Sequence, residues 1–156
     1  MPDIRILLDN IRSVHNAGSI FRTAETLGIS RIYCGETTPG PTDRFKRPRK
    51  DFAKVALGAE EIVPWEHVAD PVALIKGLRK DGFQIIALEQ SDASVDYKKA
   101  VAGNKALIIL GNEVDGVSKL ILEMSDVVAE IPMKGEKESL NVSVAAGIFL
   151  YRLLDK

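Results

Sequence analysis

The chain has 156 residues, 46% of them hydrophobic and 28% charged, with a formal net charge of −1. That length fits one domain spanning residues 1–156, and the composition excludes a disordered chain. A single cysteine, Cys34, excludes an intramolecular disulfide and points to a reducing, cytoplasmic setting, while two histidines beside it are too few for a structural zinc site, so no metal is expected.

In chain order, Ile4 to Leu8 reads as a strand, and Asn16 to Leu27 as a helix capped by Asn16 and stopped by Gly28. Arg31 to Cys34 is a second strand, and the Pro-, Gly- and Thr-rich stretch after it reads as an irregular loop. A short helix over Asp51 to Leu57 and a strand over Glu61 to Val63 come next. Asp70 then caps a helix with Pro71 at its first position, ending at Gly82. Phe83 to Leu88 and Ala106 to Leu110 are continuous apolar runs, as expected of strands covered on both faces. Val117 to Met124 reads as a short helix, Val127 to Ile131 as a strand, and Ser139 to Leu154 as a last helix capped by Ser139. Strands interleaved with helices predict an α/β fold, a mostly parallel sheet with helices on both faces. No apolar run approaches the roughly 20 residues that span a bilayer, and charges in MPDIRILLD break up any secretory signal, so no membrane association is expected.

The charge is segregated. Between Arg44 and Lys54 six basic residues face one acidic one, leaving +5 there and −6 over the rest of the chain. Arg44, Lys46, Arg47, Arg49 and Lys50 are thus candidates for gripping a polyanion such as RNA, the plain alternative being a solvated basic loop.

Three further segments carry candidate chemistry. In NIRSVHNAGSIFRTAETLGI, residues 10–29, Ile20, Phe21, Ala24 and Leu27 form the core-facing side of a helix. Arg22 points away from that side, with Gly18 one turn earlier leaving room beside it. In LIILGNEVDG, residues 107–116, a buried strand ends at Gly111 and runs into a tight turn containing Glu113 and Gly116. Ligands of open α/β sheets bind at such carboxyl ends, and the absence of GxGxxG and of GK[ST] argues against a dinucleotide or a nucleoside triphosphate. In EIPMKGEKESLNVSVAAGIFLYRLL, residues 130–154, a helix apolar nearly all round needs a second cover, most readily another subunit. Phe149 is expected on that interface.

Together these segments resemble the three motifs of the SpoU/TrmH family of RNA ribose 2'-O-methyltransferases, within the SPOUT superfamily. The first motif is carried by Asn16, Gly18, Ile20, Arg22, Thr23 and Ala24, and the second by Gly111, Asn112, Glu113 and Gly116. The third is Ile131, Pro132 and Met133, then Ser139 through Ala145. The resemblance covers essentially the whole chain. It implies a deep C-terminal trefoil knot, S-adenosylmethionine as cofactor, a homodimer whose subunits complete each other's sites, and a tRNA or rRNA substrate. It also implies a minimal form without the N-terminal RNA-binding domain of many members. By the same resemblance Arg22, Asn16, Glu113, Ser139 and Asn141 surround the acceptor ribose. Leu88, Glu89, Gly111, Gly116, Ile131, Met133 and Leu140 hold the cofactor, Glu89 through a ribose hydroxyl. Two other readings are a base methyltransferase of the same superfamily and a non-catalytic RNA-binding module on the same fold.

Overall fold

A computed structural model describes residues 1–155. The elements run β1 (Asp3–Asp9), α1 (Val14–Thr26), β2 (Arg31–Gly35), α2 (Lys50–Ala56), α3 (Ala59–Ile62), β3 (Trp65–Val68), α4 (Pro71–Lys80) and β4 (Gln84–Leu88). They continue with β5 (Val95–Asp96), a 3-10 turn at Tyr97–Lys99, β6 (Lys105–Gly111), α5 (Lys119–Met124), β7 (Val127–Glu130) and α6 (Val142–Leu154). The strands form one sheet in the order β3-β2-β1-β6-β4-β7-β5, every pair parallel. All strand carboxyl ends therefore lie on one rim.

Strand alternation divides the core into two layers. Ile6, Leu8 and Ile108 face α1, α2, α3 and α6, meeting Phe21, Phe52 and Phe149. Leu7, Leu107 and Ile109 face the opposite way, onto Ile75 and Leu78 of α4 and Ile121 of α5. β6, in the middle, is buried from Ala106 to Gly111, which is why its sequence is apolar without alternation.

Several expectations need correction. Glu61 lies in helix α3, and the strand begins later, at Trp65. Pro64 forces Val63 out of helical geometry, and the polar Glu66 and His67 of an exposed edge strand hid its signal. Helix α1 starts one turn earlier than read: Ser13 is its cap, with Oγ accepting from the Asn16 amide at 3.1 Å, and Asn16 is a buried residue inside the helix. Asn141, not Ser139, caps α6. Gly18 leaves no open space, because a Cβ there would sit 3.0 Å from Val55 Cβ; it is where α1 and α2 approach closely.

Phe149 is fully buried in the core and is not a surface residue. The exposed apolar stripe of α6 is Val144, Ile148 and Tyr151, spaced four and three residues apart, and their exposures of 50%, 40% and 53% are high for such side chains. None of the helices among the described residues is long and apolar enough to cross a membrane.

Candidate active site

At the carboxyl ends of β4, β6 and β7 the chain encloses a cleft of about 440 Å³. Leu88, Gly111, Ile131 and Met133 line it from the strand ends and the residues just beyond them, and Leu140 closes it from the loop just before α6. Glu89, Gly116, Glu113, Ser139 and Asn141 supply its polar wall.

The turn after β6 is tightly folded. A Cβ on Gly111 would run into the Gly116–Val117 peptide, and Gly116 has φ 67° with its open side filled by the Glu89 carboxylate. Glu89 accepts from the Gln90 amide at 2.8 Å and from the Val117 amide at 2.9 Å. Its carboxylate is thus a latch from β4 to the turn, with both oxygens engaged by backbone, which weakens its expected role on a ribose hydroxyl. Gln90, unremarked in the sequence, donates to the Glu138 carbonyl at 2.9 Å and ties the same strand end to the loop before α6.

A directional hydrogen-bond series crosses the mouth. Both the amide and hydroxyl of Ser143 donate to Asn141 Oδ1, at 2.9 and 2.6 Å. Asn141 Nδ2 donates to Asn16 Oδ1 at 3.1 Å, and Asn16 Nδ2 donates to Glu113 Oε1 at 2.8 Å. Glu113 also accepts from the Arg12 and Ser13 amides at 3.1 and 3.2 Å. Because an ionised carboxylate only accepts, it fixes which way each amide upstream is turned. Burial by itself would raise the Glu113 pKa, but the Asn16 side chain and the backbone amides outweigh it and hold the carboxyl below the ordinary glutamate range. Here the first, second and third motifs meet, although Asn16 and Asn141 are 125 residues apart.

Arg22 is not part of this cluster. It is exposed on α1 and joins none of the ion pairs among the described residues. Six residues beyond Asn16, it stands about 9 Å further along the helix and off the cleft. It does lie one turn before Thr26, whose hydroxyl is 3.1 Å from that of Tyr151 on the exposed α6 stripe.

The stretch between β2 and α2 forms no helix or strand, as expected, but its basic tip is a built turn. Asp43 Oδ1 accepts from the amides of Phe45 and Arg47, and Thr42 pairs with Pro48 across the turn. Two of the five candidate cations are already paired, Arg47 with Asp43 at 2.9 Å and Arg49 with Asp51 at 2.8 Å. Arg44, Lys46 and Lys50 are exposed and outside those pairs.

Among known proteins, the chain is 34% identical over 149 residues to the 23S rRNA (guanosine-2'-O-)-methyltransferase RlmB of Neisseria meningitidis, covering 96% of this chain and 57% of that protein. It spans less than three fifths of the length of such relatives. Among solved structures, the A. aeolicus TrmH/SpoU tRNA modifying enzyme superposes with a TM-score of 0.86 at 31% identity, over 99% of this chain and 75% of that one. An AdoMet-bound rRNA methyltransferase from Sinorhizobium meliloti gives 0.83 at 28% identity, over 97% and 55% of the two chains. Residues 3–151 match the SpoU rRNA Methylase family, a span that runs from β1 into the last turn of α6 and includes every segment that builds the cleft, so the chain belongs to that family.

Proposed function

We propose that this chain, as a homodimer, transfers a methyl group from S-adenosylmethionine to a ribose 2'-hydroxyl of a structured RNA, tRNA or rRNA, in a cytoplasmic setting. The observation that carries the reading is the Asn141–Asn16–Glu113 series at the mouth of a cleft sized for a small cofactor. The volume falls in the range of about 300–1,000 Å³ common for small-molecule sites. The names of the relatives, a guanosine-2'-O-methyltransferase and an AdoMet-bound structure, agree with it.

Leu88, Ile131 and Leu140 offer apolar surfaces for an adenine, while backbone groups at the strand ends supply its hydrogen bonds. The knotted C-terminal passage belongs to the same reading. When bound, S-adenosylmethionine would supply an electrophilic methyl carbon: the ribose oxygen would form the new O–C bond, the C–S electron pair would return to sulfur, and the hydroxyl proton would pass to solvent water. Glu113 is saturated with donors and held ionised, which suits it to orienting Asn16 and not to taking a proton. Arg22, with its planar fork of donors, holds the acceptor phosphate and hydroxyl in line. It reaches that acceptor from beside the apolar stripe of α6, where a second copy seats and brings the arginine to the other subunit's cleft.

The test is single-turnover incubation with methyl-labelled S-adenosylmethionine and RNA, followed by nuclease digestion and mass spectrometry. A methylated ribose is the expected product. A methylated base, or cofactor binding with no transfer to any RNA, overturns the reading in favour of a base methyltransferase or a binding module.

A further inference from the structure

The β2–α2 connection holds an aromatic ring out in water. Phe45 is 62% exposed at the tip of the turn, an unfavourable position for an apolar ring. The Arg44 guanidinium lies 4.7 Å from its centroid and that of Arg47 5.0 Å. Loose loops expose side chains without consequence, but this one is fastened along its length. Thr38 is buried and donates to the Leu8 carbonyl at 3.2 Å, and the Thr37 amide donates to Asn10 Oδ1 at 3.3 Å. Gly40 is packed so closely on Trp65 that a Cβ would come within 2.8 Å of the indole. Asp43 then clamps the tip, and the Arg47 amide, with its guanidinium and the Phe45 amide behind it, outweighs desolvation and holds that carboxyl below the usual aspartate range.

We infer that Phe45 is a stacking platform for an unpaired base of the RNA, with Arg44 and Lys46 on the flanking phosphates. This rests on the RNA reading above and adds to it a recognition element. A rigid aromatic face bordered by guanidinium groups matches what single-stranded RNA presents, a base π-face every nucleotide and a phosphate between. The site also has the right location. In the sheet β2 is two strands from β6, about 10 Å at the usual strand spacing, so the root of the turn and the cleft share one rim.

The test compares the full chain with Phe45→Ala, Phe45→Trp and Arg44→Ala, using an RNA stem-loop that carries 2-aminopurine in its unpaired loop and a blunt duplex of the same stem. Phe45→Ala is expected to weaken stem-loop binding about 5- to 150-fold, the range for losing one stacked base, with little effect on the duplex. It should also relieve the 2-aminopurine quenching seen with the parent, and Phe45→Trp should restore both. Its salt dependence should match the parent's, whereas Arg44→Ala lowers the slope of log K against log salt by about 0.7. Equal stem-loop affinity in Phe45→Ala overturns the platform while ribose methylation by the parent leaves the enzyme reading intact. A Phe45→Ala chain that binds RNA normally but changes its oligomeric state assigns the ring to a protein contact and overturns the platform as well. If the parent binds neither RNA, the RNA reading and the platform both fall.

Discussion

Glu113→Gln isolates what the carboxylate does at the cleft mouth with almost no change in shape. In the structure Oε1 accepts from Asn16 Nδ2 at 2.8 Å and the Ser13 amide at 3.2 Å, and Oε2 from the Arg12 amide at 3.1 Å. A glutamine presents an NH2 group to one of these donor sets however its amide is turned. The less costly orientation keeps oxygen toward Asn16 and Ser13 and sets NH2 against the Arg12 N–H. One bond is then lost and two become neutral. Buried bonds to charged acceptors contribute about 1.5–3 kcal/mol and neutral ones about 0.5–1.5. Glu113 is exposed to solvent, and screening reduces the expected loss to about 1–2 kcal/mol. For a chain of this size that lowers Tm by about 2–8 °C.

The pH dependence has a definite sign. A carboxyl held below its ordinary range binds protons more weakly folded than unfolded, so its stabilisation is full above the ordinary glutamate range and is lost as pH falls through the folded value. The parent and Glu113→Gln should therefore differ most near neutrality and converge in acid. Urea unfolding of both, with Asn16→Ala and the double variant, closes a cycle whose coupling should exceed the about 0.5 kcal/mol seen for independent sites. Additive effects, or a gap between the two proteins that persists in acid, would refute the argument.

Arg22→Ala should leave Tm unchanged, since the side chain is exposed and outside the ion pairs, while single-turnover methylation falls about 10²- to 10³-fold. Arg22→Lys should rescue little, lacking the fork of donors, and near-normal rates in either variant would remove the residue from the reaction. Ile148→Asp, on the exposed stripe, should give a folded monomer by light scattering, and an unchanged dimer would place the interface elsewhere. Gly116→Ala should lose about 1–3 kcal/mol to its left-handed backbone and displace Glu89, weakening S-adenosylhomocysteine binding by calorimetry; parent-like titrations would show that the latch is not part of the cofactor site.

The strong apolar runs made most of the sheet legible. Ile4 to Leu8 and Ala106 to Leu110 lie in strands, and the run Phe83 to Leu88 enters one at Gln84, because burial on both faces leaves an unambiguous trace. What escaped was either polar or two residues long, such as Trp65–Val68 at one sheet edge and Val95–Asp96 at the other. Every residue expected to hold the cofactor lines one cleft, although Glu89 turned out to spend its oxygens on backbone. The helix start at Ser13 carried a signal, a serine three residues before Asn16, that the more familiar Asn cap obscured. Phe149 could not be placed from its own helix. With apolar residues on nearly every side, only the packing of α1 and the sheet decides that Phe149 goes inward and Ile148 outward.

The polarity of the series at the mouth explains how a chain of net charge −1 can offer a site to an anionic ligand. Glu113 puts a negative charge there, but its oxygens already accept from Asn16 and from the Arg12 and Ser13 amides at the start of α1. Those amides belong to the positive end of a helix, which offsets the charge further. Upstream, Asn16 Oδ1 and Asn141 Oδ1 are both occupied as acceptors, by Asn141 and by Ser143. Each amide therefore retains one Nδ2 proton, and Ser139 adds a hydroxyl on the same wall. What remains free at the mouth is a set of donors. Ribose and phosphate oxygens match such a set. Reversing the series by turning either asparagine would place Oδ1 against Glu113 or against Asn16 and would present acceptors instead, so the single carboxylate sets the chemical character of the whole mouth.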